Sequence, residues 1–550
     1  MMAPLKDVKS LMDIANTVVT KDIATTCVYI DHVERNDPGQ VDPQLHSSLV
    51  SHLNSVMETL PIGLLDKLII STVQFLVKEE NRCRGVRISR CYDAPGLHVA
   101  LEMLPQPSTL VLDLGTLFQG ARLSRRSNGL CRSALTKSLS RTSNLVKLVL
   151  QSKCSNDILQ SVGSNCSQLC ELYISMSELV TDSGVANIVP STSRVYTSDH
   201  ETEEASDDQT NPGCPGLVIL DITKCDNISP AGVKMMLQGL HKLRRLMYSN
   251  MKGVLEKIVQ DEESSEHALE PFKRIEYFDG TEYELVTEES DDIPEFDPAK
   301  WMIGPVGIEM IPKYFPNIST LKMMLSDAEV KELVVVHNLV HLELEFSDDP
   351  GTGLQNLLES HPNISNFKLL LLQVGPIQAA HLNLIAQNCV NLGFLRIIGF
   401  DIENSGLLRP SCGYFTKLTQ LHLSFYDSRY GDSDDEDNLG PSHSPEMIEF
   451  FLFSGCTDLT VANIHMNVSH FLHDQYLHKL ISKNPLKKLQ RLGLTAPDLL
   501  PLSSDMVRWV LESLPQIKSL STSKWSKVTH KQRKLIEKEA TENNLDVVFD

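Results

Sequence analysis

Cationic side chains are scarce in this sequence, which has 50 Lys and Arg against 71 Asp and Glu and a formal net charge of −21. Nucleic acids and anionic membranes both require a cationic binding surface, so this balance argues against either as the main partner. Long apolar runs are also missing: the longest aliphatic stretches, such as 369–372, are far too short to span a bilayer. The first residues contain no continuous apolar segment, so we expect no secretory signal.

The 12 cysteines include no pair at Cys-x-x-Cys spacing. Scattered cysteines of this kind fit reduced, buried thiols better than a disulfide framework. The sequence therefore predicts a protein of the cytoplasm, the nucleus or both.

Signatures of catalysis are absent too. There is no phosphate-binding glycine loop, no His-Glu-x-x-His and no nucleophile elbow. His465, His470, His473 and His478 lie close in sequence, but no acidic or Cys ligand joins them at the spacing of a structural metal site. We interpret them as histidines of a repeat helix. We expect no enzyme activity, no metal and no cofactor, and we favour a binding role.

One phrase recurs along the chain: an apolar residue, two others, a second apolar residue, one other, and often a third apolar residue. Clear copies start at Leu145, Leu169, Leu217, Leu243, Ile318, Leu339, Ile364, Leu392, Leu418, Leu459, Leu489 and Ile517, and a weaker one lies at Leu110–Leu114. The alternation predicts a short strand with one apolar face, and the rest of each copy predicts a returning helix. Neither element buries its apolar face alone, so neighbouring copies must stack.

Local signals support the strand–helix interpretation. Ser229 is a candidate helix N-cap, and Pro230 follows at the first helical position, where its missing N–H costs nothing. Cys166, Cys389 and Cys456 each stand three residues before a strand Leu. We expect these thiols in the core beneath the helix-to-strand turn.

These copies resemble the cysteine-containing, ribonuclease-inhibitor-like leucine-rich repeat family over roughly residues 83–540. The resemblance implies an α/β leucine-rich repeat solenoid, in which a curved parallel β-sheet forms the concave face and helices lie outside. A charged helix over 524–544, with Trp525, would cap its end. We predict a small helical domain over 1–80 and the solenoid over 81–550. The solenoid would carry acidic disordered insertions near 196–213, 261–297 and 427–444, where hydrophobicity is low.

The N-terminal segment has no repeat but contains amphipathic helical patterns. Ser10-Leu11, with Ala15 and Val19 at the following helical positions, resembles the BC box. In proteins with a VHL box, the BC box docks on Elongin C. Leu60-Pro61, with Leu64 and Leu68, resembles the cullin box that accompanies it. The resemblance implies an Elongin-binding helix with Leu11, Ala15 and Val19, and a cullin-binding helix with Leu60, Pro61, Leu64 and Leu68, each inserting apolar side chains into a partner's groove.

Alternatives remain open for this segment. Leu60-Pro61 followed by Leu64 also resembles the start of an F-box, which binds a different adaptor. The helices could also simply shield the first repeat. The sequence thus leaves three functions open: a substrate receptor of a cullin–RING ubiquitin ligase with Elongin B/C, an F-box receptor of an SCF ligase, or a non-catalytic scaffold. In each case we expect protein partners and a monomer within a hetero-complex.

The residues that flank the inward-facing leucines of each strand should point to the concave face, because side chains alternate along a strand. The stretch from 341 to 495 places an aromatic residue beside an arginine there, and both types are enriched at interaction hot spots. The predicted partner-binding residues are His341, Glu343, Glu345, Phe394, Arg396, Gln420, His422 and Arg491.

Overall fold

A computed structural model describes most of the chain. The described residues are 11–35, 43–60, 62–83, 96–115, 125–191, 212–264, 270–279, 305–399, 402–403, 407–408, 414–425, 445–453, 456–465, 472–484, 486–495, 500–521, 525–542 and 548–549. The chain divides into two compact units. The first unit comprises Val8–Leu285, and the second contains Val286–Asp550.

The first unit begins with three helices, which are followed by alternating strands and helices. The helices are α1 (Leu11–Arg35), α2 (Pro43–Thr59), α3 (Ile62–Cys83), α4 (Leu97–Met103), α5 (Arg125–Leu139), α6 (Asn156–Asn165), α7 (Asp182–Ala186), α8 (Pro230–Gly239) and α9 (Met251–Ser264). The strands are β1 (Val111–Asp113), β2 (Lys147–Val149), β3 (Glu171–Tyr173), β4 (Ile219–Asp221), β5 (Arg245–Met247) and β6 (Tyr277–Asp279). All six strands pair in parallel and in chain order.

The strand register explains the repeat phrase of the first unit. The central residue of each strand faces the helices and is at most 2% exposed, so neighbouring strands place their apolar side chains side by side. This buried row is Leu112, Leu148, Leu172, Leu220, Leu246 and Phe278. Stacking the row removes from water the one apolar face that each short strand possesses.

The N-terminal helices pack on the first repeat. In α1, Asp31 is 1% exposed, and its Oδ2 accepts the backbone N–H of Gly96 at 2.9 Å. In α3, Asp66 accepts the backbone N–H groups of Leu110 and Val111 at 3.3 and 3.2 Å. The Asp31 bond holds the N-cap of α4, and the Asp66 bonds satisfy donors at β1, the first strand of the sheet, which would otherwise present unpaired groups. The predicted domain boundary at residue 80 stays a prediction, and the helices on either side of it belong to one unit.

The second unit continues the strand–helix alternation. Its helices are α10 (Pro305–Tyr314), α11 (Asp327–Val330), α12 (Thr352–Ser360), α13 (Ala379–Asn388), α14 (Pro445–Phe453), α15 (Asp474–Lys483), α16 (Ser504–Ser513) and α17 (His530–Glu542), with 3₁₀ turns at Lys331–Val335 and Ile364–Asn366. Its main strands are β7 (Thr320–Leu325), β8 (His341–Phe346), β9 (Leu369–Gln373), β11 (Phe394–Gly399), β13 (Gln420–Phe425), β14 (Val461–His465), β15 (Arg491–Thr495), β17 (Ser519–Ser521) and β19 (Val548–Phe549). They form a parallel sheet in that order.

Two small parallel pairs accompany this sheet: β10 (Ile377–Gln378) with β12 (Ile402–Glu403), and β16 (Leu500–Ser503) with β18 (Trp525–Lys527). Strands β7, β8, β9, β11, β13, β14 and β15 are longer than those of the first unit and bury two rows of side chains, the first of which continues into β17. The first row contains Leu321, Leu342, Leu370, Leu395, Leu421, Ala462, Leu492 and Leu520. The second contains Met323, Leu344, Leu372, Ile397, Leu423, Ile464 and Leu494. The predicted α/β leucine-rich repeat fold is therefore confirmed in each unit.

Several local predictions are confirmed as well. Ser229 caps α8, its hydroxyl accepts the N–H of Gly232, and Pro230 is the first helical residue. The thiols of Cys166, Cys389 and Cys456 are at most 2% exposed. Burial raises the pKa of Cys166 to about 11 and that of Cys389 and Cys456 to about 12, so all three stay protonated at neutral pH.

One predicted strand phrase is out of register. The phrase at Ile364 lies in a 3₁₀ turn, and the strand that pairs with β8 places Leu370 opposite Leu342. The correct phrase therefore starts three residues later, at Phe367, which is fully buried. The continuous apolar run after Phe367 conceals the alternation, and Ile364 offered an earlier apolar start.

A second difference concerns the predicted acidic insertions. The end of α9 and strand β6 lie inside the range 261–297, so part of that range belongs to a regular repeat. Its phrase, Ile275-x-x-Phe278, has no leucine and was missed for that reason. Other parts of the predicted insertions lie outside the described residues, namely 280–297, most of 196–213 and all of 427–444. The side chain of Trp525 also lies outside them.

Candidate functional site: two protein-docking surfaces

Helix α1 leaves one face exposed. Val18 and Tyr29 are 64% and 60% exposed, and Asp22 and Thr25 between them are also exposed. The four positions have spacings of four, three and four residues, which place them on one side of a helix. We call Val18, Asp22, Thr25 and Tyr29 the N-terminal docking face.

The other side of α1 packs into the first unit. Ile23, Cys27 and Ile30 are at most 2% exposed. Val19, a predicted Elongin-binding residue, is half-buried at the margin between the two sides. The side chains of Leu11 and Ala15 lie outside the described residues, but both residues belong to α1 and precede Val18 by seven and three positions, the spacing of a single helix face. The packed side anchors α1 and leaves the opposite face exposed.

The residues of the predicted cullin-binding segment differ in exposure. Leu60 and Leu64 are half-buried, whereas Leu68 is 3% exposed and belongs to the core of the first unit. Pro61 lies outside the described residues. Of the residues of α3 predicted to contact a cullin, Leu64 therefore offers accessible apolar surface and Leu68 does not.

The open face of the second unit's sheet carries the other predicted set, and its first carboxylates are already partnered. On β8, His341 Nδ1 lies 3.2 Å from the Thr320 hydroxyl, and Glu343 forms an ion pair with Lys322 at 3.6 Å. Glu345 accepts a hydrogen bond from the amide of Gln373 at 3.0 Å. Burial raises the pKa of Glu345, while Lys322 partly offsets this effect.

The remaining predicted residues of this face lie on β11 (Phe394 and Arg396), β13 (Gln420 and His422) and β15 (Arg491). Phe394 and His422 stack with their ring centroids 5.4 Å apart. Arg396 is directly opposite His422 in the register of β11 and β13. The pKa of His422 is lowered by burial and then by the positive charges of Arg396 and Arg491, so the ring stays neutral at pH 7. Arg396, Gln420 and Arg491 are exposed.

Sequence reasoning missed some residues of this face. Leu369 and Leu371 of β9 are half-buried and lie opposite Phe394 and Arg396, so they extend the apolar surface beside the aromatic ring. Asn463 of β14 contacts His422 Nδ1 at 3.1 Å through its side-chain amide. The correct register of β9 would have identified both leucines, because they are the residues that alternate with buried Leu370.

The histidines between 465 and 478 that the structure describes make separate contacts and do not form one cluster. His465 Nδ1 contacts the Thr495 hydroxyl at 2.8 Å, and His473 caps α15 by accepting the Tyr476 N–H at 3.2 Å. His478 stacks on Trp509 with centroids 4.2 Å apart. His470 lies outside the described residues. Within the described ranges, no group of three or more His, Cys, Asp or Glu side chains is placed to hold a metal, and no helix is long and apolar enough to cross a membrane.

No family model matches the chain, and no curated protein matches it. Among solved structures, the chain is similar to a yeast complex described as "Crystal structure of Rad7 and Elc1 complex in yeast". The sequence identity is 14%, the alignment covers 96% of each chain, and the TM-score is 0.34.

Proposed function

We propose that this protein is a non-catalytic substrate-recognition subunit of a cullin–RING ubiquitin ligase. Its N-terminal helices bind Elongin B/C and a cullin, and the open face of the second unit's sheet binds the protein to be modified. The observation that carries the proposal is α1, a helix outside the repeats that buries one face and exposes valine and tyrosine on the other.

The chemistry of the N-terminal docking face supports this role. Helix-in-groove recognition uses a row of apolar side chains at spacings of three and four residues. Leu11 and Ala15, the BC-box-like residues, extend the row of Val18 and Tyr29 by the same spacing. Tyrosine is enriched among the residues that dominate interface energies.

A scaffold without ubiquitin machinery is the second candidate. It is favoured by the bonds through which Asp31 and Asp66 attach α1 and α3 to the first repeat, since a terminal repeat needs a cap. Capping uses the buried side of α1, and the exposed side takes no part in covering the first repeat. The exposed valine and tyrosine therefore favour the receptor.

Copurification with Elongin B and C tests the proposal. The full chain should capture both, and Val18→Asp with Tyr29→Ala should abolish capture. Leu11→Ala with Ala15→Phe should have the same effect. Val390→Asp is the matched control, because Val390 is 51% exposed but lies in the second unit, and it should leave capture unchanged.

Each result of this experiment separates the candidates. Equal melting temperatures for the variants establish that they fold. Capture of the F-box adaptor in place of the Elongins supports the SCF alternative. Failure of the unmodified chain to capture either adaptor removes both ligase functions and leaves the scaffold.

A further inference from the structure

The open face between β11 and β15 is cationic in a chain of strongly negative net charge. The outward strand positions of β11, β13, β14 and β15 include two arginines and no carboxylate. The chain as a whole carries a net charge of −21. Two arginines with no carboxylate beside them, in a chain of this net charge, favour a negatively charged partner.

Neither arginine of this face forms an ion pair with another described residue. Arg396 and Arg491 are exposed, and no described carboxylate lies within ion-pair distance of either. The carboxylates on β8, two strands away from β11, are engaged, Glu343 with Lys322 and Glu345 with Gln373. The two guanidinium groups are therefore available to an incoming ligand.

Apolar surface lies directly beside this charge. Leu369 and Leu371 are half-buried, and Phe394 of the neighbouring strand stacks on His422. The stack and the bond from Asn463 to His422 hold the aromatic ring and the imidazole in place, so little side-chain freedom remains to be lost on binding. We call Leu369, Leu371, Phe394, Arg396, His422 and Arg491 the arginine face.

We propose that the arginine face binds an acidic, extended segment of a partner protein, with carboxylates on Arg396 and Arg491 and an apolar side chain against Leu369, Leu371 and Phe394. Three strand spacings separate β11 from β15, a lateral distance of about 14 Å that an extended segment of about four residues spans. This deepens the proposed function by naming the chemistry of its substrate, and it rests only on the partner-binding half of that function.

A nucleic acid fits this face less well. Tight nucleic-acid binding requires neutralisation of many phosphates, and two arginines supply few of the necessary contacts. The remaining charge of the chain repels a polyanion as a whole, whereas a short segment with a few carboxylates has less repulsion to overcome. Both Arg396 and Arg491 can also pair with a carboxylate in bidentate geometry.

The test is direct binding to the full chain, measured by fluorescence anisotropy. The probe is a short labelled peptide in which glutamates flank a central phenylalanine. Comparison probes carry lysines in place of the glutamates, or are single-stranded oligothymidylate. We expect binding to the acidic peptide that weakens as salt rises, and no binding to the other two.

Variants locate the site. Arg396→Glu with Arg491→Glu should weaken peptide binding by at least about tenfold, because two favourable pairs become repulsive. Lys531→Glu with Lys534→Glu makes the same change of charge at exposed positions of α17 and should have little effect. Neither pair should alter Elongin capture. The capture assay therefore tests the proposed Elongin docking, and the peptide assay tests this inference, each independently of the other.

Three results would overturn the inference. The first is equal binding of the acidic and the lysine peptide, and the second is equal loss in both double variants. The third is preferential binding of oligothymidylate that depends on Arg396 and Arg491, which would assign the face to nucleic acid.

Discussion

The carboxylate of Asp327 caps the helix of the next repeat, where its Oδ2 accepts the backbone N–H of Gly353 at 2.8 Å. Its Oδ1 accepts the N–H groups of Gly351 and Leu354 at 2.7 and 2.9 Å. These donors are left without partners within the helix because they open α12. Asp182 and Asp474 bond the backbone N–H of Ser229 and Ser503 in the following repeats in the same way.

This cross-repeat cap makes a prediction for stability. Asp327→Ala removes three hydrogen bonds to a carboxylate and should lower the free energy of unfolding by about 2–3 kcal/mol. Gly353→Ala should also destabilise, because its Cβ would overlap the Asp327 backbone oxygen. Asp458→Ala is the control, since it breaks an exposed ion pair with Lys488 and should cost less than about 1 kcal/mol. Urea denaturation measures all three, and equal losses for Asp327→Ala and Asp458→Ala would contradict the capping role.

Asp31 makes a separate prediction for the N-terminal helices. Asp31→Ala leaves the buried N–H of Gly96 without its acceptor and removes the carboxylate that lies 3.7 Å from His98. The loss should be about 1–3 kcal/mol and should be confined to α1–α3 and the first repeat. Hydrogen exchange should show faster exchange there and unchanged protection in the second unit. Asp31→Asn keeps one acceptor oxygen and should have a smaller effect; protection of α1–α3 that stays at the wild-type level in Asp31→Ala would show that the helices are held elsewhere.

The sequence predicts a structural feature correctly when the signal for it lies within one repeat, and fails when contacts with another repeat decide it. The strand phrase and the Ser229-Pro230 helix start are local, and both are correct in the structure. The phrase at Ile364 failed because an apolar run after Phe367 offers two registers, and only pairing with β8 selects one. Strand β6 was missed because Ile275 and Phe278 replace the usual leucines.

The docking surfaces show the same limit. Alternation along a strand suffices to place Phe394, Arg396 and Arg491 on the open face. It does not reveal that Glu343 is paired with Lys322, or that Arg396 and Arg491 have no described acidic partner, because those contacts join different repeats. Helical spacing predicted Leu64 and Leu68 as one surface, yet Leu68 is buried because α3 packs on its neighbours.

The difference between these two leucines gives a test of cullin binding. Pro61→Ala with Leu64→Ala should lose the cullin while retaining the Elongins, because Leu64 is accessible and the BC-box-like helix is untouched. Leu68→Ala should instead lower the melting temperature, with a cost of about 2–5 kcal/mol for a buried leucine. Copurification and thermal unfolding of the same samples separate the two effects. Loss of the Elongins together with the cullin in the Pro61 and Leu64 variant would argue against two independent docking sites.

Two buried histidines predict a loss of stability in mild acid. His381 is 1% exposed, its Nε2–H donates to the Gly351 carbonyl at 2.9 Å, and its Nδ1 has no hydrogen-bond partner among the described residues. His361 is 3% exposed, donates to the Val336 carbonyl at 3.1 Å and accepts the Asn363 N–H through Nδ1 at 3.2 Å. Burial lowers the pKa of both, an effect that the carbonyl bonds and, for His381, Asp327 partly oppose, while His337 adds to it for His361.

These lowered pKa values determine the direction in which stability changes with pH. The unfolded chain takes up the protons first, so the stabilisation from neutral His361 and His381 is complete above the unfolded pKa of about 6.5 and is lost as the pH falls from there through the folded values. The melting temperature should therefore decrease between pH 7 and pH 5. His381→Gln should flatten that decrease relative to wild type, whereas substitution of exposed His32 should not. An unchanged slope in His381→Gln would show that other groups cause the acid sensitivity.

Phe394 and Phe367 separate recognition from folding in two neighbouring repeats. Phe394 is half-buried on the open face, and its ring contacts His422, whereas Phe367 is fully buried in the core. Phe394→Ala should weaken capture of the acidic peptide and leave the melting temperature nearly unchanged, because the lost ring opens no internal cavity. Phe367→Ala should cost about 3–5 kcal/mol of unfolding free energy, the usual penalty for a large cavity. Since both changes remove the same ring, the pair distinguishes surface chemistry from packing. If Phe394→Ala unfolds as readily as Phe367→Ala, or if it binds the peptide as well as the wild type does, the arginine face is part of the fold and not a recognition surface.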